Sequence, residues 1–423
     1  MTPPILDTLR VWWDRRQAGE LAIDKGGAMH FAYSAEWLAD DSAPPLSQAL
    51  PKRGEAFDDH VCKAVFGGLL PEESQRTAIA RALGVSPDNP FRLLQALGGD
   101  VAGALSFLPA GEEPLQDETN GDAEPLDEGE LAALLDRLPA APMLAGEGGP
   151  RLSLAGAQSK LPVVLTANGR IAVPRPGEPS THLIKPEPER FAGLAANEAF
   201  CLALASAVGL DTARAEWREV DGRPLLLVER YDRVSVGGRT QRLHQEDFAQ
   251  ALAVPSNRKY AAEGGPTFLD SFALLRSAAT RPAREVLKLA DAAIFNLIVG
   301  NADAHAKNYS LLRLQTGEVV LAPLYDHVAT HMWKELSPSL AMRFGRAATI
   351  EELGKDNLER FAEDAGLPAP FVKRRLFQIA VALSREIAKG VFVRGLDDQN
   401  AIAPVAEAVA MRAAYARDGH PST

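Results

Sequence analysis

A chain of 423 residues with a 46% hydrophobic fraction and a formal net charge of −11 is long enough for two to three domains and apolar enough to bury large cores. Its two cysteines, Cys62 and Cys201, sit among apolar neighbours, which excludes a disulfide framework and reads as reduced core thiols. No basic-then-apolar leader opens the sequence and no uncharged apolar run nears about 20 residues, so a soluble cytoplasmic protein without a membrane span is expected.

The elements follow in chain order. Short strands at residues 21–23 and 30–33 precede a helix at 71–83, which has Pro71 in its first turn and Gly84 behind it. A second helix spans 90–97, and together these make a small α+β module. Residues 111–130 then hold nine acidic residues and no Lys or Arg, leaving −2 over the rest of the chain. With few large apolar side chains to offset ordering entropy, this stretch reads as a solvated connector and a boundary. The charge argues against autonomous DNA binding, which needs clustered Lys and Arg, without forbidding a local basic patch.

Past the connector, residues 151–160 form a loop of small residues ending on Lys160. Apolar runs at 161–165 and 170–173 flank Asn168-Gly169, a strong hairpin signal. A short strand at 181–185 ends on Lys185, and a helix at 191–208 is closed by Gly209. A second hairpin pairs 213–220 with 224–228 around Asp221-Gly222 and runs into Glu229-Arg-Tyr-Asp-Arg233. From about residue 241 the pattern is mostly helical, with helices expected at 267–279, 284–299, 357–365, 370–389 and 400–415. One β interruption, 309–314 and 319–321 around Thr316-Gly317, lies between two polar clusters. The domains read as 1–110, a connector at 111–148, a core at 149–235 and a helical body at 236–423.

The first polar cluster, Gly300-Asn-Ala-Asp303-Ala-His305-Ala-Lys307-Asn308, follows a buried helix. The second, Tyr325-Asp326-His327, comes just beyond the hairpin. Their order matches the parts needed for phosphoryl transfer. A small-residue loop (Ala155, Gly156, Ala157, Gln158, Ser159, Lys160) can cover phosphates with backbone N–H groups, and a strand lysine, Lys185, can neutralise them. A loop aspartate, Asp303, can accept the proton of an attacking hydroxyl. Asn308, five residues later, and Asp326 can hold Mg²⁺ with hard oxygen donors. The Asp-to-Asn spacing equals that of the protein-kinase catalytic loop. Taken singly, Lys185 also reads as an ordinary strand-end lysine, and Asp303, Asn308 and Asp326 also read as a capping cluster at a helix end. Glu198 reads either as a partner for Lys185 or as part of a solvated helix face. His327 and His331 have the spacing of a zinc pair, but H-E-x-x-H is missing and no cysteine is near in sequence. Ser153 and Ser159 lack the G-x-S-x-G elbow of a hydrolase.

Several ordered segments extend the match. They are Phe66-Gly-Gly-Leu-Leu-Pro71-Glu, residues 153–160 and 181–185, Asn197-Glu198, Glu229-Arg-Tyr-Asp-Arg233, and His244-Gln-Glu-Asp-Phe248. Lys259-Tyr260 with Gly264-Gly-Pro266, residues 300–308 and Tyr325-Asp326 complete the set. Across most of its length the chain resembles the HipA family, the kinase toxins of HipBA-type toxin–antitoxin systems. The resemblance implies an α+β, two-lobed, protein-kinase-like fold with an extra N-terminal subdomain and a mainly helical C-lobe. It implies a serine/threonine kinase using ATP and Mg²⁺, acting on an aminoacyl-tRNA synthetase to slow translation and promote growth arrest and persistence. It further implies Asp303 as the catalytic base and Asn308 and Asp326 as Mg²⁺ ligands. Residues 155–160 and Lys185 would then contact the ATP phosphates, with His305 and Lys307 beside them and Glu229 and Tyr231 at the adenine. Ser153 falls at the position of the loop serine that the family autophosphorylates. The implied partner is a HipB-like helix-turn-helix antitoxin dimer, through which the chain meets DNA indirectly. The acidic stretch 111–130 lies outside the resemblance. Two other readings stand beside a protein kinase: a catalytically weak co-repressor subunit, and a small-molecule kinase of the same fold.

Overall fold

Two long strands near the N-terminus, Ile5–Trp13 and Arg16–Asp24, pair antiparallel through a tight turn at Asp14, whose φ is 54°. A computed structural model describes residues 4–114, 123–146, 151–156 and 158–418. It divides the chain into two units, Met1–Lys185 with Arg230–Asn257, and Pro186–Glu229 with Arg258–Thr423.

In the first unit the two long strands are flanked by Met29–Tyr33 and Leu105–Pro109 in one four-stranded antiparallel sheet. Alternation along Ile5–Trp13 buries Leu9 and Val11, as a one-sided sheet requires. Gly19 lies under the neighbouring strand: a Cβ there would come within 2.3 Å of the Ala32 carbonyl oxygen and 2.7 Å of the Phe31 ring. An edge-to-face aromatic core, with Phe31–Phe66 at 5.2 Å and Phe66–Phe107 at 5.5 Å, sits between the sheet and the helices Asp59–Val65 and Pro90–Leu97. The expected helix at 71–83 is Glu73–Leu83, ended by Gly84 at φ 65°. Strands Leu161–Leu165 and Ile171–Ala172 form the Asn-Gly hairpin, and Leu161–Leu165 also pairs with His182–Pro186.

Two parts of the first unit differ from the sequence reading. The connector is not without secondary structure to residue 130, although its residues 127–130 are exposed. A helix, Glu128–Arg137, starts inside it, with a capping box between Asp127 and Glu130 and with Leu131, Leu134 and Leu135 buried. Glu128 and Glu130 lie in its first turn, where negative charge stabilises a helix, so part of the acidic run is N-terminal capping chemistry. Residues 115–122 of the same run lie outside the described residues. Next, the segment after residue 233 forms a hairpin, Arg233–Val236 with Arg239–Arg242, turned by Gly237 and Gly238 at φ 58° and 82°. Its strands are too polar to announce themselves by alternation. Residues 230–257 therefore fold with the first unit, although 236–257 had read as part of the helical body.

The second unit opens with the helix Leu194–Ala207, expected at 191–208, and the hairpin Ala215–Val220 with Arg223–Glu229. Asp221 and Gly222 both take positive φ, 48° and 72°, as the two-residue hairpin turn demands. The helices Phe268–Ala278, Pro282–Val299, Lys355–Ala365, Ala369–Lys389 and Ala403–Asp418 come next, each close to its expected place. Their core includes Phe361, stacked on Phe344 at 3.8 Å and met edge-on by Phe268 and Phe272. The hairpin Ser310–Arg313 with Val319–Leu321 interrupts the helices as expected. Buried Glu285 accepts the Leu321 N–H at 3.0 Å and so ties the hairpin to the helix Pro282–Val299. Both cysteines are buried free thiols, and burial pushes each up to about 12. Among the described residues no helix is long and apolar enough to cross a membrane.

Candidate active site

The densest polar arrangement grows from the end of the helix Pro282–Val299. Gly300 adopts φ 74°, and the Gly300 and Asn301 N–H groups both return to the Asn296 carbonyl at 3.0 and 2.9 Å. This left-handed stop throws the chain out of the helix directly into residues 301–308. Arg412 donates to the carbonyls of Ile298 and Leu297 at 2.9 and 3.1 Å, satisfying two more of the helix-end acceptors.

Asn301 organises this loop. Its amide nitrogen donates to Asn296 Oδ1 at 3.1 Å and to the Asp326 carbonyl at 3.2 Å, while its Oδ1 accepts the Asp303 N–H at 3.2 Å. One buried side chain thus connects the two clusters that the sequence set 23 residues apart. The Asp303 carbonyl then accepts the His305 N–H at 2.7 Å and the Asn308 amide nitrogen at 3.0 Å. The one-turn helix Ala306–Asn308 closes the loop. Tyr325 donates to the Lys307 carbonyl at 2.7 Å and meets Ser310 Oγ at 2.8 Å. The Asp303 side chain stays exposed and accepts the Tyr260 hydroxyl on Oδ1 at 3.0 Å.

Asp326 sits at φ 53°, a left-handed conformation a non-glycine residue holds only when its surroundings impose it. Those surroundings are visible. Leu324 pairs with residues 211–213 on one side, through N–H bonds of 2.8 Å in each direction. On the other side Asn197 holds the Ala329 backbone at 2.8 Å. Buried His327 meets Asn296 Oδ1 at 2.7 Å, so its Nδ1 carries the proton, and burial lowers the ring from 6.5 to about 4. It is a neutral core histidine, which answers the zinc-pair reading of His327 and His331.

The donor set fits a hard divalent cation in its chemistry. Asp326 supplies a carboxylate. Asn308 uses its amide nitrogen on Asp303, which leaves its Oδ1 as the oxygen available to a cation. His305 and Lys307 are buried beside Asn308, His305 with its ring edge-on to Tyr260 at 5.5 Å.

The remaining candidates divide between the units. In the first unit, the loop carrying Ser153, Ala155, Gly156, Gln158, Ser159 and Lys160 is docked on the N-terminal module. Ser153 is fully buried, its hydroxyl donating to the Leu69 carbonyl and its N–H to the Asp100 carbonyl, both at 3.0 Å. Gly156 bridges Pro71, with its carbonyl accepting the Glu72 N–H at 3.1 Å. Its φ of 120° excludes other residues, and an added Cβ would lie 2.5 Å from Lys160 Nζ. Lys160 is buried and donates to the Ala155 carbonyl at 2.7 Å. Ala157, also a candidate, lies outside the described residues. Lys185 is buried at the end of its strand, the last residue before the chain enters the second unit. In that unit Glu198 is 2% exposed, which removes the solvated-face reading.

Glu229 and Tyr231 stand on either side of a crossing between units. Glu229 is half exposed, 3.7 Å from Arg214, and the Tyr231 hydroxyl donates to Gln245. Between and after them, Arg230 and Arg233 are buried against Asp100 and Asp232 in the first unit. Sequence reasoning missed Asp100, Asn296, Asn301 and the role of Tyr260. Asn301 lay inside the cluster, but its targets become neighbours only through folding.

Comparison with known proteins identifies the family. The model of the HipA-like C-terminal domain matches residues 152–387, and that of the HipA N-terminal domain matches 9–108. Y4mE of Sinorhizobium fredii, whose name assigns it provisionally to the kinases, is 52% identical over 384 residues, covering 90% of this chain and 91% of that protein. The serine/threonine-protein kinase toxin HipA of Shewanella oneidensis is 32% identical over 392 residues, 89% of this chain and 87% of that one. Among solved structures, the Shewanella oneidensis complex of HipA, HipB and operator DNA matches with a TM-score of 0.83 at 28% identity, covering 98% of this chain and 100% of that chain. The α+β fold is therefore the HipA fold expected from the sequence, and the chain belongs to the HipA family.

Proposed function

We propose that this chain is the toxin of a toxin–antitoxin pair, a serine/threonine protein kinase that transfers the ATP γ-phosphate to a protein. The observation supporting this reading is the bonding of Asn301, which ties the loop of Asp303 and Asn308, spaced as in a kinase catalytic loop, to the Asp326 backbone. Asp303 is the general base: its carboxylate takes the proton of the acceptor hydroxyl as that oxygen attacks the γ-phosphorus, and the bond from that phosphorus to the β–γ bridging oxygen breaks to release ADP. Asn308 Oδ1 and the Asp326 carboxylate hold Mg²⁺, which neutralises the phosphate charge when MgATP is bound. Residues 155–160, including Ala157, and Lys185 bind the phosphates, with His305 and Lys307 alongside. Glu229 and Tyr231 contact the adenine. Catalysis in this scheme comes from positioning and charge neutralisation.

The acceptor class is an aminoacyl-tRNA synthetase, whose modification would slow translation and lead to growth arrest and persistence. The partner is a HipB-like helix-turn-helix dimer. The Shewanella complex, which holds HipB and operator DNA with HipA, supports that choice and an indirect contact with DNA. The expected site of action is the cytoplasm.

Ser153 is the regulatory phosphorylation site. Its burial and its bond to Leu69 mean that the loop must leave its seat before a phosphate can be added, and the added charge then keeps it out.

The test is ATP turnover by purified protein. Wild type should convert MgATP to ADP and place phosphate on an added synthetase, and Asp326→Gln should bring both to background. Full activity in Asp326→Gln would reject the metal assignment. A wild type that turns over no ATP would leave the co-repressor reading standing.

A further inference from the structure

Lys259-Tyr260 and Gly264-Gly265 form a motif to which nucleotide and metal binding assign no task. The loop is built to hold one side chain. The Tyr260 carbonyl accepts the N–H groups of Glu263 and Gly265 at 3.0 and 2.9 Å. Gly264 adopts φ 83°, and a Cβ on Gly265 would fall 2.1 Å from the Arg258 carbonyl oxygen. The turn is therefore closed to larger residues. Its next residue, Ala261, donates to the Ala341 carbonyl at 3.0 Å, and Ala341 donates to Ala302 at 2.7 Å. The turn is thus tied by backbone bonds to the residue just before Asp303. The Tyr260 ring stands edge-on to His305 at 5.5 Å, with Lys259 Nζ 5.4 Å from the ring centre. What this anchored ring presents is a hydroxyl 3.0 Å from Asp303 Oδ1.

We infer that Tyr260 is a positioning residue for the catalytic base. A carboxylate on a free side chain rotates about its last bond, and general-base catalysis requires it aligned with the acceptor O–H. Pinning Oδ1 with a phenol fixes the carboxylate plane in which the base meets the acceptor hydroxyl. Tyr260 exchanges no proton in the reaction. It acts only through Asp303, and the inference rests on the kinase reading.

Tyr260→Phe keeps the ring and removes only the hydroxyl. Self-phosphorylation and MgATP hydrolysis by the full chain are the readouts. The expected result is a kcat about ten-fold lower, the effect of one charge-assisted hydrogen bond, with KM for MgATP and thermal midpoint unchanged. Combined with Asp303→Asn, the same substitution should cause no further loss. An active wild type with Tyr260→Phe at the same kcat overturns the role of Tyr260 alone. A higher kcat in Tyr260→Phe also overturns it, identifying the hydroxyl as a plug on the acceptor's oxygen. A wild type without any MgATP turnover overturns the kinase reading and this role with it.

Discussion

Asn301 shows how little is needed to bring two distant clusters together. Its three hydrogen bonds reach a helix-end amide, the carbonyl of Asp326 and the N–H of Asp303. Alanine at this position leaves buried acceptors and a loop N–H unpaired. Asn301→Ala should therefore destabilise the protein by about 2 kcal/mol and lower phosphate transfer by more than that loss of folded protein explains. Denaturant unfolding and initial rates on the same sample separate the two effects. Ser153, a loop serine in the sequence, is a wholly buried donor to Leu69. Ser153→Ala should remove the mass gain seen on incubation with MgATP, and intact-mass spectrometry reads it directly. An unchanged gain would move the regulatory site elsewhere.

Single elements were legible where local chemistry decides them. Asn168-Gly169 and Asp221-Gly222 announce hairpins because only residues tolerant of positive φ fit such turns, and Gly84 and Gly300 announce helix ends for the same reason. Tertiary context decided the rest. The hairpin at Gly237-Gly238 has strands of Arg-Val-Ser-Val and Arg-Thr-Gln-Arg, the first with only two apolar residues and the second with none. The helix Glu128–Arg137 hides behind its own acidic N-terminus. What its composition concealed was a leucine face, buried at Leu131, Leu134 and Leu135. Removing its cap with Asp127→Ala should cost about 1 kcal/mol, measured as a shift in unfolding midpoint. No change would show that the helix contributes nothing to the first unit's stability.

At the scale of the molecule, the first unit is assembled around a buried ionic cluster drawn from distant parts of the chain. Asp100 accepts Ser180 Oγ at 2.6 Å, Arg233 at 2.8 Å and Arg242 at 3.3 Å. Asp232 accepts Arg230 at 2.8 Å and the Gly103 N–H at 2.7 Å. The same Asp100 backbone pairs with Arg151 and Ser153, so the loop that carries Ser153 and the chain at Arg230 share one anchor. Nothing in Leu97-Gly-Gly-Asp100 signals this, since its side-chain partners lie 80 to 142 positions away. Asp100→Ala strands buried guanidinium groups and should cost roughly 3–5 kcal/mol.

The cluster also sets an acid limit. Burial alone would raise the Asp232 carboxyl, but Arg230 and Arg233 outweigh it and hold it at about 2, and Asp100 is held lower still by Arg233, Arg230 and Arg242. Both groups are depressed from 3.8. Their stabilisation is therefore complete above that pH and is lost as pH falls toward 2. Unfolding midpoints measured down that range should drop steeply in wild type and less in Asp100→Ala; equal slopes would remove the cluster from the acid response.

The central claim is that Asp303 drives phosphate transfer to a protein. It is tested most directly by comparing the phosphoproteome after brief expression of wild type and of Asp303→Gln. The account predicts new phosphoserine or phosphothreonine sites on a synthetase with wild type and none with the variant. The same sites appearing with Asp303→Gln would contradict it.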